Sequence, residues 1–404
     1  MTRFLYAWEL GNNLGHIGTF EPVARQLARD GHGVTFAVRD TRACASLLGD
    51  HFAWLQAPLY APTAGPRAPV NYADILLCAG YRDPDLLLGL LVAWRTLLQL
   101  ARPDLVFADH APTAILAART LGIPVMLFGA GFAVPPRRTP LPAMRAWEPM
   151  DDQSLAVYDA AALACINTVL GRLGCPALAR LYELFDVAEN ALLTVPELDH
   201  YRARGPARYW GMAPSLTVAP GPPLAWPAGP GPRLFAYVRH DADAANAIVA
   251  AIGESGCPCI IFYPDWSMHI ALPSSVTIVT APPDLREMTR QADIGIVYGM
   301  GTIAAFLMAG KPVLCLASHL EQYLLGLRVA ELGAGLALRA DTETALIGSA
   351  LRKLLSNGAL AQRAQHFAAK YAQFGQGAVV ANFCKRAHEL VGQYSLQPDS
   401  SLGK

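Results

Sequence analysis

The run from Val218 to Pro232, VAPGPPLAWPAGPGP, holds six prolines and three glycines in fifteen residues. Proline lacks the N–H that a helix or a central strand needs, so no regular element passes through this stretch. The chain is therefore expected to fold as two bodies joined by a linker at 218–232. Residues 1–217 form the first, 233–376 the second, and 377–404 a final helix and tail. On both sides of the linker, short apolar runs alternate with helix-length amphipathic segments, the pattern of parallel sheets with crossover helices. The expected fold class is α/β.

In the first half the apolar runs Phe4–Trp8, Val34–Val38, Leu105–Ala108 and Val125–Phe128 read as strands. A helix is expected over Thr19–Asp30, with Phe20, Val23, Ala24 and Leu27 on one face and Gly31 ending it. Beyond the linker the expected strands are Leu234–Val238, Cys259–Phe262, Val276–Val279, Ile294–Val297, Val313–Leu316 and Leu336–Leu338. Helices are expected over Ala242–Glu254, Leu285–Gln291, Thr302–Ala309 and Gln322–Leu332. Ligands of such sheets bind outside the carboxyl ends of the strands, so two such bodies facing each other form one cleft.

Composition narrows the function. With 53% apolar and 16% charged residues a large core is available, and 32 Lys+Arg against 32 Asp+Glu excludes nucleic-acid binding as the main task. The eight cysteines are scattered without a C-x-x-C pair and read as mostly buried thiols. The first residues have too short an apolar run for a signal peptide, so the expected compartment is the cytoplasm. Leu86–Leu100, broken by Gly89 and Arg95, falls short of a membrane span and reads as a buried or surface helix.

Candidate chemistry lies in loops that follow strands. After the first strand comes Glu9-Leu10-Gly11-Asn12-Asn13-Leu14-Gly15-His16. Its glycines admit close approach of a ligand, and His16 at the helix entrance can exchange a proton near neutral pH or simply cap the helix. The third strand ends in Asp109-His110, where a carboxylate can hold a neighbouring histidine in one tautomer or cap the following helix. In the second half, Tyr298-Gly299-Met300-Gly301-Thr302 leads from a strand into a helix, whose free N–H groups and dipole suit a diphosphate. Arg239 and His240 follow another strand and can add positive charge there. Glu321 and Gln322 open a later helix, where they can bind sugar hydroxyls or merely complement the helix dipole. Asp241-Ala242-Asp243 looks like a metal-binding pair but sits where aspartates cap helices, so no metal is expected. No dinucleotide, Walker, serine-hydrolase or zinc motif occurs.

Taken together these segments resemble the GT-B glycosyltransferases, in particular the UDP-glycosyltransferase and macrolide-glycosyltransferase superfamily. The resemblance is carried by Gly15-His16 with Glu21-Pro22, by Pro103-Asp104-Leu105 to Asp109, and by Arg208-Tyr209-Trp210-Gly211. It is carried most specifically by Ala281-Pro282-Pro283-Asp284-Leu285, Gly299–Thr302, Ala309-Gly310-Lys311-Pro312-Val313, Glu321-Gln322 and Glu331-Leu332-Gly333-Ala334-Gly335.

The resemblance implies two Rossmann-like domains facing a central cleft and a final helix, near Ala378–Val391, crossing back to the first domain. It implies His16 as the base that deprotonates an acceptor hydroxyl and Asp109 as its orienting partner. Asn12, Asn13 and Gly15 would then form the acceptor-side loop. Arg239, His240, Tyr298, Gly299, Met300, Gly301, Thr302, Glu321 and Gln322 would bind a nucleotide-sugar donor of UDP or dTDP type. The reaction would invert the anomeric carbon without a metal or other cofactor, and the acceptor would be a small hydrophobic alcohol.

A lipid acceptor with a peripheral membrane contact at Leu86–Leu100 is the variant of this reading. The chain departs from the family at Tyr298, where a histidine is usual, at Glu321, where aspartate is commoner, and at Leu325, where asparagine is usual. The competing readings are a non-catalytic scaffold or binding subunit that kept the fold, and a sugar-nucleotide epimerase.

Overall fold

The structure is a computed structural model and describes residues 1–11, 15–60, 68–202, 204–212, 224–239, 242–264, 266 and 272–395. Asn12, Asn13 and His240 of the expected site lie outside these residues, as do Asp241, the linker residues 218–223 and the tail from 396.

The chain alternates strand and helix from its first residues. The order is β1 (Arg3–Trp8), α1 (Gly15–Arg29), β2 (Gly33–Val38), α2 (Thr41–Leu47), β3 (Ala53–Gln56), α3 (Tyr72–Cys78) and α4 (Pro84–Ala101). It continues with β4 (Leu105–Asp109), α5 (Pro112–Thr120), β5 (Val125–Gly129), α6 (Asp152–Arg172) and β6 (Glu189–Leu192). All neighbouring strands run parallel, in the order β3-β2-β1-β4-β5-β6. Apolar β1, RFLYAW, is buried from Phe4 onward because it lies between β2 and β4 with both faces covered.

A second sheet repeats the plan with β7 (Leu234–Tyr237), α7 (Ala242–Ser255), β8 (Cys259–Phe262), β9 (Val276–Val279), α8 (Leu285–Gln291) and β10 (Ile294–Val297). Then follow α9 (Met300–Met308), β11 (Val313–Ala317), α10 (Leu320–Leu332), β12 (Gly335–Arg339), α11 (Thr344–Ser356), α12 (Gly358–Lys370) and α13 (Gln376–Ser395). Its order, β12-β11-β10-β7-β8-β9, is that of the first sheet counted from its own first strand. Each sheet therefore has a switch point, between β1 and β4 and between β7 and β10, where chain direction across the sheet reverses and a ligand crevice opens.

Local rules place the helix ends. Asp83 accepts the N–H groups of Asp85 and Leu86 with Pro84 in the first turn, and Leu87, Leu91, Trp94 and Leu98 turn inward. Three helices begin earlier than the apolar periodicity indicates: α1 at Gly15, α9 at Met300 and α10 at Leu320. The first turn of each carries the polar or glycine residues of a strand-end loop, which periodicity does not register. Consequently Gly15 and His16 are helical, as are Met300 and Gly301.

By contacts the chain divides into one unit of Met1–Val195, Tyr201–Gly211 and Gly377–Lys404, and another of Pro196–His200 with Met212–Gln376. The aromatic core of the first stacks Tyr6 on Phe20, centroids 4.4 Å apart, with Phe107 and Phe128 each 5.0 Å from Phe20. Phe383 of α13 packs on Phe128 at 5.2 Å and on Trp210 at 4.9 Å, so the last helix completes the first unit. The core of the second includes Leu234, Ile248, Ile261, Ile296, Leu314 and Leu351. Pro196–His200 joins that second unit because Glu197 accepts from Lys370 Nζ and, at 2.5 Å, from the Tyr371 hydroxyl. A boundary drawn only from the proline run does not see such long-range bonds.

Helices α4 and α6 are long and apolar enough to cross a membrane by length and composition alone. Both bury one face within the first unit, where they also pack on each other.

Candidate active site

The register of β1 against β4 sets Trp8 opposite Asp109, which brings the loop after β1 beside the end of β4. There Nδ1 of His16, in the first turn of α1, lies 2.9 Å from Oδ2 of Asp109. The Asp109 side chain is 7% exposed and that of His16 23%, so a sheltered carboxylate holds an imidazole that still reaches the surface. A carboxylate accepts, so in the neutral imidazole that pairs with it Nδ1 carries the proton and Nε2 is the acceptor nitrogen.

Tyr6, Trp8 and Gly129, not expected from the sequence, complete this arrangement together with Gly11 of the glycine-rich loop. Tyr6, two residues earlier on β1, donates its hydroxyl to the same Asp109 Oδ2 at 2.7 Å. Burial, and then the Asp109 charge, push the Tyr6 phenol well above its ordinary pKa, which keeps it a donor. Trp8 stacks on the His16 ring at 4.8 Å and an interplanar angle of 19°, with its own Nε1–H bound to the Leu10 carbonyl at 2.8 Å. Gly11 has φ +85°, and a Cβ built on it would lie 2.8 Å from His16 Nε2. Any side chain here would press on this nitrogen. Gly129 on β5 similarly lets Asp109 Oδ1 approach, since a Cβ there would sit 3.2 Å away.

Of the other first-unit residues, Gly15 is exposed with open space around a built Cβ. His110 takes φ +48° and packs its ring against Tyr72 and Phe132, at 5.7 and 6.0 Å. It is Asp109, not His110, that meets His16.

In the second unit the switch point lies between β7 and β10. Arg239, exposed, follows β7; Tyr298 follows β10 and is buried. Tyr298 stacks on Tyr237 at 4.9 Å, and Tyr237 on Phe262 at 4.9 Å, so the phenol belongs to an aromatic ladder across three strand ends. Gly299 caps α9 without a side-chain acceptor, and Thr302 donates its hydroxyl to the Gly299 carbonyl at 3.0 Å. The first N–H groups of α9, at Met300, Gly301 and Thr302, thus have no side-chain cap from Gly299, as an anion site requires.

At the start of α10 the two expected polar residues part company. Gln322 is buried and its Oε1 accepts the Ser318 N–H at 2.9 Å, bracing the turn. Glu321 lies 3.6 Å from His200 Nε2 and 3.9 Å from His319 Nδ1. Among the described residues no three metal-ligating side chains converge.

No protein-family model matches the chain, and no curated protein matches it in sequence. Solved structures do match its shape. CalG4, the calicheamicin glycosyltransferase, superposes with a TM-score of 0.70 at 18% identity, covering 97% of this chain and 98% of its own. The spinosyn rhamnosyltransferase SpnG in complex with thymidine diphosphate gives 0.68 at 16% identity, covering 95% and 100%. The glycosyltransferase SnogD from Streptomyces nogalater gives 0.60 at 19% identity, covering 95% and 99%. At these identities the likeness is one of fold, and the chain has the GT-B fold of these natural-product glycosyltransferases.

Proposed function

We propose that this chain is an inverting glycosyltransferase that moves a sugar from a nucleoside-diphosphate sugar to a hydroxyl of a small, apolar acceptor. The observation that carries the reading is the 2.9 Å contact between His16 Nδ1 and Asp109 Oδ2. In this reading Nε2 takes the proton of the acceptor hydroxyl as its oxygen attacks the anomeric carbon from the face opposite the leaving diphosphate. Asp109 stabilises the imidazolium that forms, and Tyr6 and Trp8 hold both partners in place.

The diphosphate is assigned to the first turn of α9, where Met300, Gly301 and Thr302 offer backbone N–H groups and the helix dipole favours negative charge. No metal is required in this assignment. Exposed Arg239 supplies the positive charge that Tyr298 cannot. SpnG and SsfS6 have been solved with thymidine diphosphate, which supports a dTDP- or UDP-type donor here.

The test is a thermal-shift screen of the purified chain against UDP, dTDP, GDP and their sugars, followed by turnover assays with the hits. A ligand at 100 times its Kd is expected to add about 2.7 kcal/mol of apparent stability. His16→Ala is expected to keep that shift and lose transfer, and Asp109→Asn to lower kcat by about 10²–10⁴-fold. A folded chain that binds no nucleotide would instead support the scaffold reading.

A further inference from the structure

Glu9 directly follows β1, next to Trp8, and its carboxyl is buried with 1% exposure. Both of its oxygens meet one residue of another element. Oε2 accepts the backbone N–H of Thr113 at 2.8 Å, and Oε1 accepts the Thr113 hydroxyl at 2.5 Å. Thr113 is the second residue of α5, whose N-cap Ala111 has no side-chain acceptor to offer. A helix start left without a local cap is thus satisfied by Glu9, 104 residues away in sequence.

Tyr81 extends the network, its hydroxyl 3.1 Å from Thr113 Oγ1. Since the Thr113 proton is directed at Glu9, Tyr81 is the donor in that contact. The main chain adds a second tie, from the Leu10 N–H to the His110 carbonyl at 2.9 Å, across a turn in which His110 holds φ +48°. Between these two ties lies the turn from β4 to α5, which begins directly after Asp109, the last residue of β4.

We propose that Glu9 is a positioning residue, which caps α5 from the end of β1 and so fixes the Asp109 carboxylate against His16. The inference rests on the reading of His16 and Asp109 as the acid–base pair. An alanine at position 9 frees the Thr113 N–H in a dry site, and the β4–α5 turn relaxes with it. Glutamine keeps the brace, accepting the Thr113 N–H through its oxygen and donating its amide to Thr113 Oγ1.

The brace is also sensitive to protons. Burial pushes the Glu9 carboxyl up to about 7, against the pull of the Thr113 hydroxyl, the Thr113 and Ala114 N–H groups and Arg39. The titratable and charged groups that face it are Arg39 from beyond β2, Tyr72 from α3 and Tyr81 from the turn after α3. A protonated Glu9 donates to Thr113 Oγ1, which reverses the hydrogen bonds through Tyr81 while leaving the cap in place.

The test uses the full chain labelled with carboxyl-¹³C Asp and Glu and with ¹⁵N-His, followed by NMR from pH 5 to 9 without substrate. The Glu9 carboxyl is expected to titrate near pH 7, and a shift at the same pH is expected in the Asp109 carboxyl resonance. Glu9→Gln should remove that step and preserve the His16 Nδ1–H resonance. Glu9→Ala should shift or broaden it in a chain that remains folded by circular dichroism. In turnover, Glu9→Ala should lower kcat at least ~10-fold, with the nucleotide-sugar KM within about twofold, and Glu9→Gln should recover most of the loss. Asp109 and His16 resonances that ignore Glu9 would overturn the proposal. Should Glu9→Ala fail to fold, the pH step and its loss in Glu9→Gln decide. Because the resonances are read without donor or acceptor, a chain with no transferase activity leaves this result standing by itself.

Discussion

A methyl group placed on Gly11 would lie 2.8 Å from Nε2 of His16, closer than any carbon and nitrogen sit without displacement. Glycine at this position both adopts φ +85° and makes room for the imidazole.

Gly11→Ala is expected to cost about 1 kcal/mol of stability through its left-handed φ, and to lower kcat/KM about 10²-fold by displacing His16. Nucleotide affinity should stay within about twofold, because the residues proposed to bind the donor belong to the other sheet. Turnover and calorimetry on the same preparation check this, and wild-type turnover in Gly11→Ala would remove His16 Nε2 from the mechanism.

Glu9 imposes a pH dependence on stability whose sign follows from its raised pKa of about 7, against 4.5 for the ordinary side chain. The folded state holds the proton more tightly than the unfolded one. The stabilisation is therefore complete below about pH 4.5 and is lost as pH rises through 7, amounting to about 3 kcal/mol at the upper limit. Glu9→Gln lacks this loss. Urea denaturation of both proteins should show the variant gaining on wild type between pH 5 and 8, and parallel curves would contradict the burial argument.

Tyr298 is fixed in the ladder with Tyr237 and Phe262 and brings no charge to the start of α9. Tyr298→His should tighten nucleoside-diphosphate binding roughly tenfold at pH 6 through a charge-assisted hydrogen bond, an advantage that fades by pH 8 as the imidazole loses its proton. Loss of the stacked ring should cost about 1 kcal/mol of stability. Calorimetric titration with dTDP at the two pH values measures the first effect, and equal affinities would separate position 298 from the diphosphate.

The last helix holds the first unit together through Phe383, which is fully buried against Phe128 and Trp210. Phe383→Ala should destabilise that unit by about 3–5 kcal/mol. Denaturation followed by fluorescence of Trp8, Trp94 and Trp210 reads this, and a change under 1 kcal/mol would mean that α13 is an appendage.

Much of this protein was legible in its sequence. The strands Cys259–Phe262, Val276–Val279 and Ile294–Val297 and the helix Leu285–Gln291 occur with the bounds that periodicity and turn residues assign. Those features are local, since a strand's apolar run and a helix's capping residue act within a few residues of themselves. His16 and Asp109 were also legible, because strand-end loops of an α/β chain converge whatever the details of the fold. Tyr6, Trp8 and Glu9 were not. On β1 they read as an apolar strand and the turn that follows it, and nothing local distinguishes a phenol that packs from one that binds a carboxylate. Their roles arise from the parallel register that sets Trp8 opposite Asp109. That register joins segments about a hundred residues apart and is decided by how helices and sheet pack together. The same reason places Gln322 under the Ser318 turn and Pro196–His200 with the second unit. Sequence determined the elements and the loops where chemistry lies, and tertiary packing decided which side chains in those loops meet.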